Sequence, residues 1–430
     1  MIMSVTAVTG LQYGDEGKGK VVEMLSHRYD LIVRFQGGPN AGHTVVNEKG
    51  CFHLHQIPSG VFTEGTVCLS GQGTVVDPMA YDAEVTALSK RQIDTANLWV
   101  SDRSHVILPH HRLVDAWLEE ERGVRRLGTT LRGVGPAYAE KASRDGITTR
   151  GLSEILSSSG EKGLLEYIQY RLEESADRHS KNRDQSLADL DLMEYVKACI
   201  KLQERLTDGS ELVRSFLKEG KRILLEGQLG MMRDPDFGVY PYVTSSSPSP
   251  GAVYSGSGLP FGTPVEVLGV AKAYVTSVGE GPMPTETTDG SGEVMSEVGN
   301  EYGTTTSRKR RCGWFDAVAL REAAVSAGVS HIVLTKLDVL SMISGLRICT
   351  SYRHSGREMG SLPHPLVYGR VEPVYEELCG FGEDISGARH VRDLPKRALE
   401  YVQAVQRLCR CTVSAISVGP SRSETIWTGW

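Results

Sequence analysis

No run of about 18 consecutive apolar residues occurs in the 430-residue chain, so a membrane-spanning helix is not expected. The start, MIMSVTAVTG, lacks a basic region followed by an apolar stretch and a cleavage site, and a secreted product is not expected either. The cytoplasm is the expected compartment. Basic charge is not in excess: 47 Lys and Arg against 53 Asp and Glu leave a net −6, which argues against nucleic acid as a partner. The eight cysteines are scattered, and no histidine lies near their one close pair in sequence, so neither a zinc site nor a disulfide framework is indicated. Only Cys409 and Cys411 lie close together, and their spacing predicts one shared face of a chain entering a strand. One absence is more local. From Gly14 the chain reads GxxxxGK, yet Val21 stands where a phosphate-binding loop of that form carries Ser or Thr. That hydroxyl normally helps hold Mg²⁺, so another group must do so, and Asp15 inside the loop is the candidate.

What is present points to a phosphate-handling α/β protein. A chain of this length exceeds one simple core, and its 47 glycines fit a loop-rich enzyme. Residues Val5 to Thr9 read as a short buried strand, a loop carrying Gly10, Gly14, Gly17 and Gly19 follows, and an apolar-periodic helix starts near Val21. Strand, glycine-rich turn and helix make an anion cradle, because loop N–H groups and the helix N-terminus converge on one point. A second strand, Asp30 to Phe35, runs into another glycine-rich loop, Gln36-Gly37-Gly38-Pro39-Asn40-Ala41-Gly42-His43-Thr44. Two such loops at the carboxyl ends of neighbouring strands predict one shared crevice. A loop histidine is more often a structural hydrogen-bonder. His43, beside the cradle and with an ordinary pKa near 6.5, is suited to proton donation or to a charged oxygen.

Helices are predicted over Met79 to Lys90 and His111 to Arg122. GVRRLGTTLRGVGPAYAEKAS follows, whose Thr129, Thr130, Arg132 and Arg144 are phosphate- or carboxylate-binding types. Residues 151–220 read as an inserted helical subdomain with no evident chemistry. A strand returns at Arg222 to Gly227, and YPYVTSSSPSPGAVYSGSG, with Thr244 at its heart, reads as a packed binding loop. Arg308, Lys309, Arg310 and Arg311 precede a further helix. Such a run is ordinarily a solvated face or a nucleic-acid patch; in an acidic chain, a pocket for a small dicarboxylate or phosphate would use the same residues. His331 to Leu340 forms a strand ending in Thr335-Lys336-Leu337-Asp338, where an aspartate can accept two hydrogen bonds from guanine while the lysine stem covers the ring. Ser417-Val418-Gly419-Pro420 ends a last strand and is placed to close over a base.

Taken together, YGDEGKGK, GGPNAGHT, IPSG, GTTLRGVGPAY, YPYVTSS, GNEYGTTTSRKRRCGW, TKLDVL and SVGPSR stand in the order of the adenylosuccinate synthetase family, which the chain resembles over nearly its whole length. The resemblance implies one domain built on a large, mostly parallel, P-loop-NTPase-like sheet with helical insertions and long active-site loops. It also implies a homodimer that joins IMP and L-aspartate at the expense of GTP, with Mg²⁺. Asp15 and His43 would be catalytic. Gly14, Asp15, Glu16, Gly17, Lys18, Gly19, Gly42, His43 and Thr44 would hold the GTP phosphates, with Asp15 and the Gly42 carbonyl on the metal. Lys336, Asp338, Ser417 and Gly419 would bind guanine. Asn40, Thr130 and Thr244 would take the IMP phosphate, joined by Arg144 of the neighbouring subunit; Thr129, Leu229, Val278 and Arg308 would also line the IMP site. Thr305, Thr306, Arg308 and Arg310 would form the aspartate pocket.

The chain departs from the family pattern in places. Tyr13 replaces a tryptophan, Pro39 a histidine, and Leu131 a loop glycine. Glu226-Gly227-Gln228-Leu229-Gly230 stands where the family has EGAQG, so the base-facing glutamine is lost unless the backbone slips to present Gln228. Two other readings follow from these features: a paralogue accepting a 2-amino purine nucleotide such as GMP or dGMP, and a GTP-binding regulatory protein without ligase activity.

Overall fold

A computed structural model describes residues 4–179, 191–303 and 308–429. Ten strands form one sheet: β1 (Val5–Gly10), β2 (Leu31–Arg34), β3 (Val67–Ser70), β4 (Leu98–Ser101), β5 (Leu206–Thr207), β6 (Ile223–Gly230), β7 (Glu266–Lys272), β8 (His331–Thr335), β9 (Thr412–Ser417) and β10 (Thr425–Trp427). The spatial order is β10-β9-β8-β7-β1-β6-β2-β3-β4-β5. Only the β9–β10 edge is antiparallel. Parallel strands covered on both faces lose the alternation of apolar and polar residues, and β1 and β2 are buried at every position.

The two faces are packed by alternate residues. Val8, Ile32, Leu224 and Val333 meet Val21, Val22 and Leu25 of α1 (Lys18–Ser26) on one face. Ala7, Leu31, Val33 and Leu225 pack on the other face. Helices α2 (Pro78–Lys90), α3 (Pro109–Arg122) and α4 (Val134–Ser143) follow. The first two lie within one residue or two of their predicted starts. Asp77 caps α2 by accepting from Met79 and Ala80, and a proline fills the next position.

Within 151–220, α5 (Thr149–Arg178) and α6 (Leu192–Gln203) share a small core with the start of α3, built from Leu108, Leu152, Leu164, Ile168, Tyr195 and Val196. Strand β5 then joins the sheet edge, and α7 (Gly209–Lys218) places Val213 on the sheet. Later come α8 (Gly290–Val298), α9 (Ala317–Ser326) and α10 (Lys396–Cys409). The two neighbouring cysteines do not share a strand face: Cys409 ends α10, Arg410 turns at φ 57, and Cys411 precedes β9. All eight thiols are free. Among the described residues no helix is long and apolar enough to cross a membrane. The carboxyl ends of β1, β2, β6, β8 and β9 open on one side, as open parallel sheets place their ligand crevice.

Candidate active site

The first glycine loop reverses tightly after β1. Gly14, Asp15 and Gly17 all have left-handed φ (103, 61 and 91°), a region that glycine enters freely and aspartate tolerates. Glu16, wholly buried, holds this shape: Oε1 accepts from the Gln12 and Gly14 amides at 3.0 and 2.9 Å, and Oε2 from Lys18 Nζ at 2.5 Å. Its carboxylate is therefore turned into its own loop. No side chain caps α1, so its first N–H groups stay available to an anion. Val21 packs in the core. Lys20, the lysine of GxxxxGK, points away from the cradle. Its Nζ donates to Ser417 Oγ and the Gly419 carbonyl, both at 2.7 Å, and burial pushes it down to about 8. Lys18 is left as the cradle lysine.

These loops line a cleft of about 1100 Å³ that runs from Lys18 and His43 to Asp338 at one end and to Thr130 and Thr244 at the other. Asp15 Oδ2 meets Arg310 Nε at 2.9 Å. Arg310 Nη1 continues to Glu301 Oε2 at 2.7 Å, and Glu301 Oε1 accepts from Lys272 (2.8 Å), Lys336 (2.6 Å) and the Tyr274 hydroxyl (2.5 Å). Burial alone would raise the Glu301 carboxyl, but Lys272, Lys336 and Arg310 hold it far below the usual range. Burial brings Lys272 down to about 8 against the pull of Glu301.

His43 opens a short hairpin, His43–Asn47 with Gly50–Leu54. Its Nδ1 lies 2.6 Å from Glu226 Oε1, and Glu226 also accepts from the Ser59 amide and hydroxyl at 2.7 and 2.6 Å. Burial lowers the His43 pKa, Glu226 opposes this, and Arg34 and Lys18 add to it. A neutral His43 thus gives its Nδ1–H to Glu226 and keeps the Nε2 lone pair.

The strand-end loop of β6 does not slip to present its glutamine. Gln228 is wholly buried, bonded to Arg34 and to Asn40, while Leu229 lines the cleft at φ 56 with its side chain over Gly14. Thr129 gives its hydroxyl to Asp115 at 2.9 Å, and Glu119 gathers the amides of Leu127, Gly128 and Thr129. Leu131 sits at φ 54, a backbone state that costs a side-chain-bearing residue roughly 1–2 kcal/mol relative to the right-handed one. Arg308 Nη2 donates to the Gly128 and Thr129 carbonyls at 2.9 and 3.3 Å, bringing the basic run against this loop. Asp338 is mostly buried, and its Oδ1 has no hydrogen-bond partner among the described residues.

Of the residues singled out from sequence, Asn40, Gly42, Thr44, Thr130, Thr244, Val278, Arg308, Lys336, Ser417 and Gly419 all line this cleft with Asp15, Gly17, Gly19 and His43. Gly14 lies behind the lining. Arg144, at the exposed left-handed end of α4, is not brought to its own chain's cleft. Thr305 and Thr306 lie outside the described residues. Sequence reasoning passed over Glu226, Glu301, Lys272 and Arg233. The last sits in the cleft wall, donating to the Tyr242 and Val278 carbonyls and to Ser277. A charged residue closing an apolar strand, as in ILLEG and VLGVAK, was the available signal.

Comparison with known proteins is consistent across the chain. The family model described as adenylosuccinate synthetase matches residues 7–426. Curated adenylosuccinate synthetases from Oceanobacillus iheyensis and Desulforamulus reducens are 43% and 44% identical, each over 98% of its own length and 98% and 99% of this chain. The fully ligated adenylosuccinate synthetase structure from Plasmodium falciparum superposes with a TM-score of 0.90 at 34% identity, covering 99% of this chain and all of that one. A cyanophage S-2L succinoaminodeoxyadenylate synthetase bound to dGMP and dATP, 19% identical with a TM-score of 0.63, covers 100% of this chain and 96% of its own; it shares the fold alone.

Proposed function

The chain belongs to the adenylosuccinate synthetase family, which joins L-aspartate to IMP at the expense of GTP, and on that premise we propose how the cleft divides this work. The observation that carries the reading is the unpartnered, buried Asp338 Oδ1 in the same cleft as the cradle lysine Lys18 and the Asp15–Arg310 pair. A buried carboxylate oxygen without a donor calls for one, and guanine N1–H with its exocyclic amine supplies two. Lys336 covers the ring, and Ser417 and Gly419 close over it. Lys18, the loop amides and Thr44 hold the triphosphate.

Oxide leaves the purine C6 badly, so O6 must first become a phosphate ester. Asp15 takes the N1 proton of IMP, which places negative charge on O6 for attack on the γ-phosphorus, and aspartate's amine then displaces phosphate at C6. His43 meets the transferring phosphoryl group through Nε2. Because Nδ1–H is committed to Glu226, Nε2 donates there only once it has taken up a proton, a charge that the incoming phosphates and the buried Glu226 carboxylate favour. Asp15 and the Gly42 carbonyl offer the hard oxygen donors that Mg²⁺ takes; the ion would neutralise charge on the phosphates. Asn40, Thr130 and Thr244 receive the IMP phosphate. Arg308 and Arg310 receive aspartate's carboxylates, and the exposed Arg144 serves a second subunit's cleft.

With purified protein, IMP, GTP, Mg²⁺ and aspartate, absorbance near 280 nm is expected to rise only when all four are present. Asp15→Asn and His43→Asn are each expected to lower turnover about 100-fold or more while GTP still binds. Turnover with GMP or dGMP but not IMP would overturn the acceptor assignment. Near-normal rates in both variants would overturn the chemical roles.

A further inference from the structure

The amide of Gln228 is held by a group that can only donate. Arg34, the last residue of β2, is 1% exposed, and its Nε and Nη1 have no hydrogen-bond partner among the described residues. Its Nη2 donates to Gln228 Oε1. A guanidinium has no acceptor, so this contact settles which end of the Gln228 amide is oxygen. The NH₂ end then points at Asn40 Oδ1, 3.1 Å away. Asn40 Oδ1 is thereby the acceptor of that pair, and what Asn40 has left to offer the cleft is its own NH₂ group. Each amide's orientation follows from the one before it, starting from a residue whose orientation is not in question.

The space for this arrangement is made by the neighbouring loop. A Cβ on Gly37 would fall 1.2 Å from Gln228 Nε2, and Gly37 has φ 86. The Gln228 carbonyl accepts from Gln36 Nε2 at 2.7 Å, which fixes the backbone from which the side chain departs. Leu229 meanwhile takes the cleft-facing position. The two-residue change from the family's EGAQG is therefore one coupled change: an apolar side chain enters the cleft, and a glutamine enters the wall behind Asn40.

We propose that Arg34 and Gln228 form a donor relay that locks Asn40 with its amide NH₂ toward the phosphate of the acceptor nucleotide, making Gln228 a positioning residue for that phosphate and not a contact to the purine. The inference rests on the reading of Asn40 as a ligand of the IMP phosphate. An anion needs donors, and an unlocked asparagine would present its oxygen part of the time. The relay removes that state before the ligand arrives.

Gln228→Glu tests it directly. A carboxylate still accepts from Arg34 and compensates a buried cation, but it can only accept from Asn40, which must then turn its oxygen toward the phosphate. The KM for IMP is expected to rise about 10- to 100-fold, while the KM values for GTP and aspartate stay within about twofold. Gln228→Ala, which cuts the relay without reversing it, is expected to raise the IMP KM by less, about threefold to tenfold. In an Asn40→Ala background Gln228→Glu should add nothing, whereas a merely structural role would add its full effect. An unchanged IMP KM in Gln228→Glu, or in Gln228→Ala if the first variant does not fold, overturns the relay. If Asn40→Ala leaves the IMP KM unchanged, the reading of Asn40 itself fails, and the relay loses its object with it. If Asn40→Ala raises the KM and Gln228→Glu does not, the relay alone fails.

Discussion

Glu226 and Glu301 are both wholly buried, and each is bonded to a residue that lines the cleft and is proposed for the chemistry, His43 and Arg310. Their surroundings differ in kind. Glu226 holds His43 and the backbone and hydroxyl of Ser59, groups that can all be neutral. Glu301 gathers two lysines and an arginine on its two oxygens, with a tyrosine besides. The first is an adjustable pairing, because the histidine can surrender its proton and remain in place. The second has no such exit. Remove its negative charge and three buried or half-buried cations face one another.

The largest consequence is expected at Glu301. Glu301→Ala should cost about 3–5 kcal/mol of stability in urea titrations, the range for breaking a buried ion pair by removing one partner. A loss below about 1 kcal/mol would show that the cations relax without it. Glu226→Ala is expected to cost less, about 1–3 kcal/mol, since it leaves a neutral imidazole and a hydroxyl unsatisfied. It should lower turnover more than stability, and equal losses of stability in the two variants would dissolve the contrast.

Next comes Arg308, which unlike Arg310 is exposed and bonded to backbone carbonyls. Arg308→Leu is expected to raise the aspartate KM about tenfold, with the IMP and GTP KM values much less affected. An unchanged aspartate dependence would move the carboxylate pocket elsewhere.

The smallest effect concerns another carboxylate, the half-buried Glu140, which takes His110 and His111 at 2.8 and 2.9 Å and Arg171 at 2.8 Å. Burial pushes His110 down to about 4 despite the Glu140 hydrogen bond, and burial also pushes His105 down to about 4. Each has a lower pKa folded than unfolded, so the unfolded chain takes up the proton first. Stability is then full above pH about 6.5 and falls as pH drops toward 4. His110→Gln should flatten that fall, read as the urea midpoint at pH 7 against pH 5. The same slope in the variant would rule the histidine out as a source.

The sheet was legible because β1, β2, β6, β8 and β9 are short apolar runs ending in glycine loops or charged tetrads. The cleft was legible because those loops sit at one edge. What could not be read were partners across the sheet. Glu16 looks like a ligand in YGDEGKGK, yet it folds back on its own loop. Lys20 has the spacing of a phosphate lysine and serves the far end of the cleft. Gln228 was visible as a displaced glutamine, but its direction depends on Arg34, 194 residues away in sequence. Motif spacing reports what is near along the chain; burial and donor count decide which way each polar group turns.

Lys20 also ties together two ends of the polypeptide. It leaves the first turn of the first helix and grips the loop between the last two strands, 397 and 399 residues later, while Thr335 fastens to the Glu16 carbonyl at 2.7 Å. The loop proposed to hold the phosphates and the loop proposed to close over the base are thus tied directly to one another. The final strands of the chain therefore help to hold the proposed phosphate cradle in place, although it was built at the other end of the sequence.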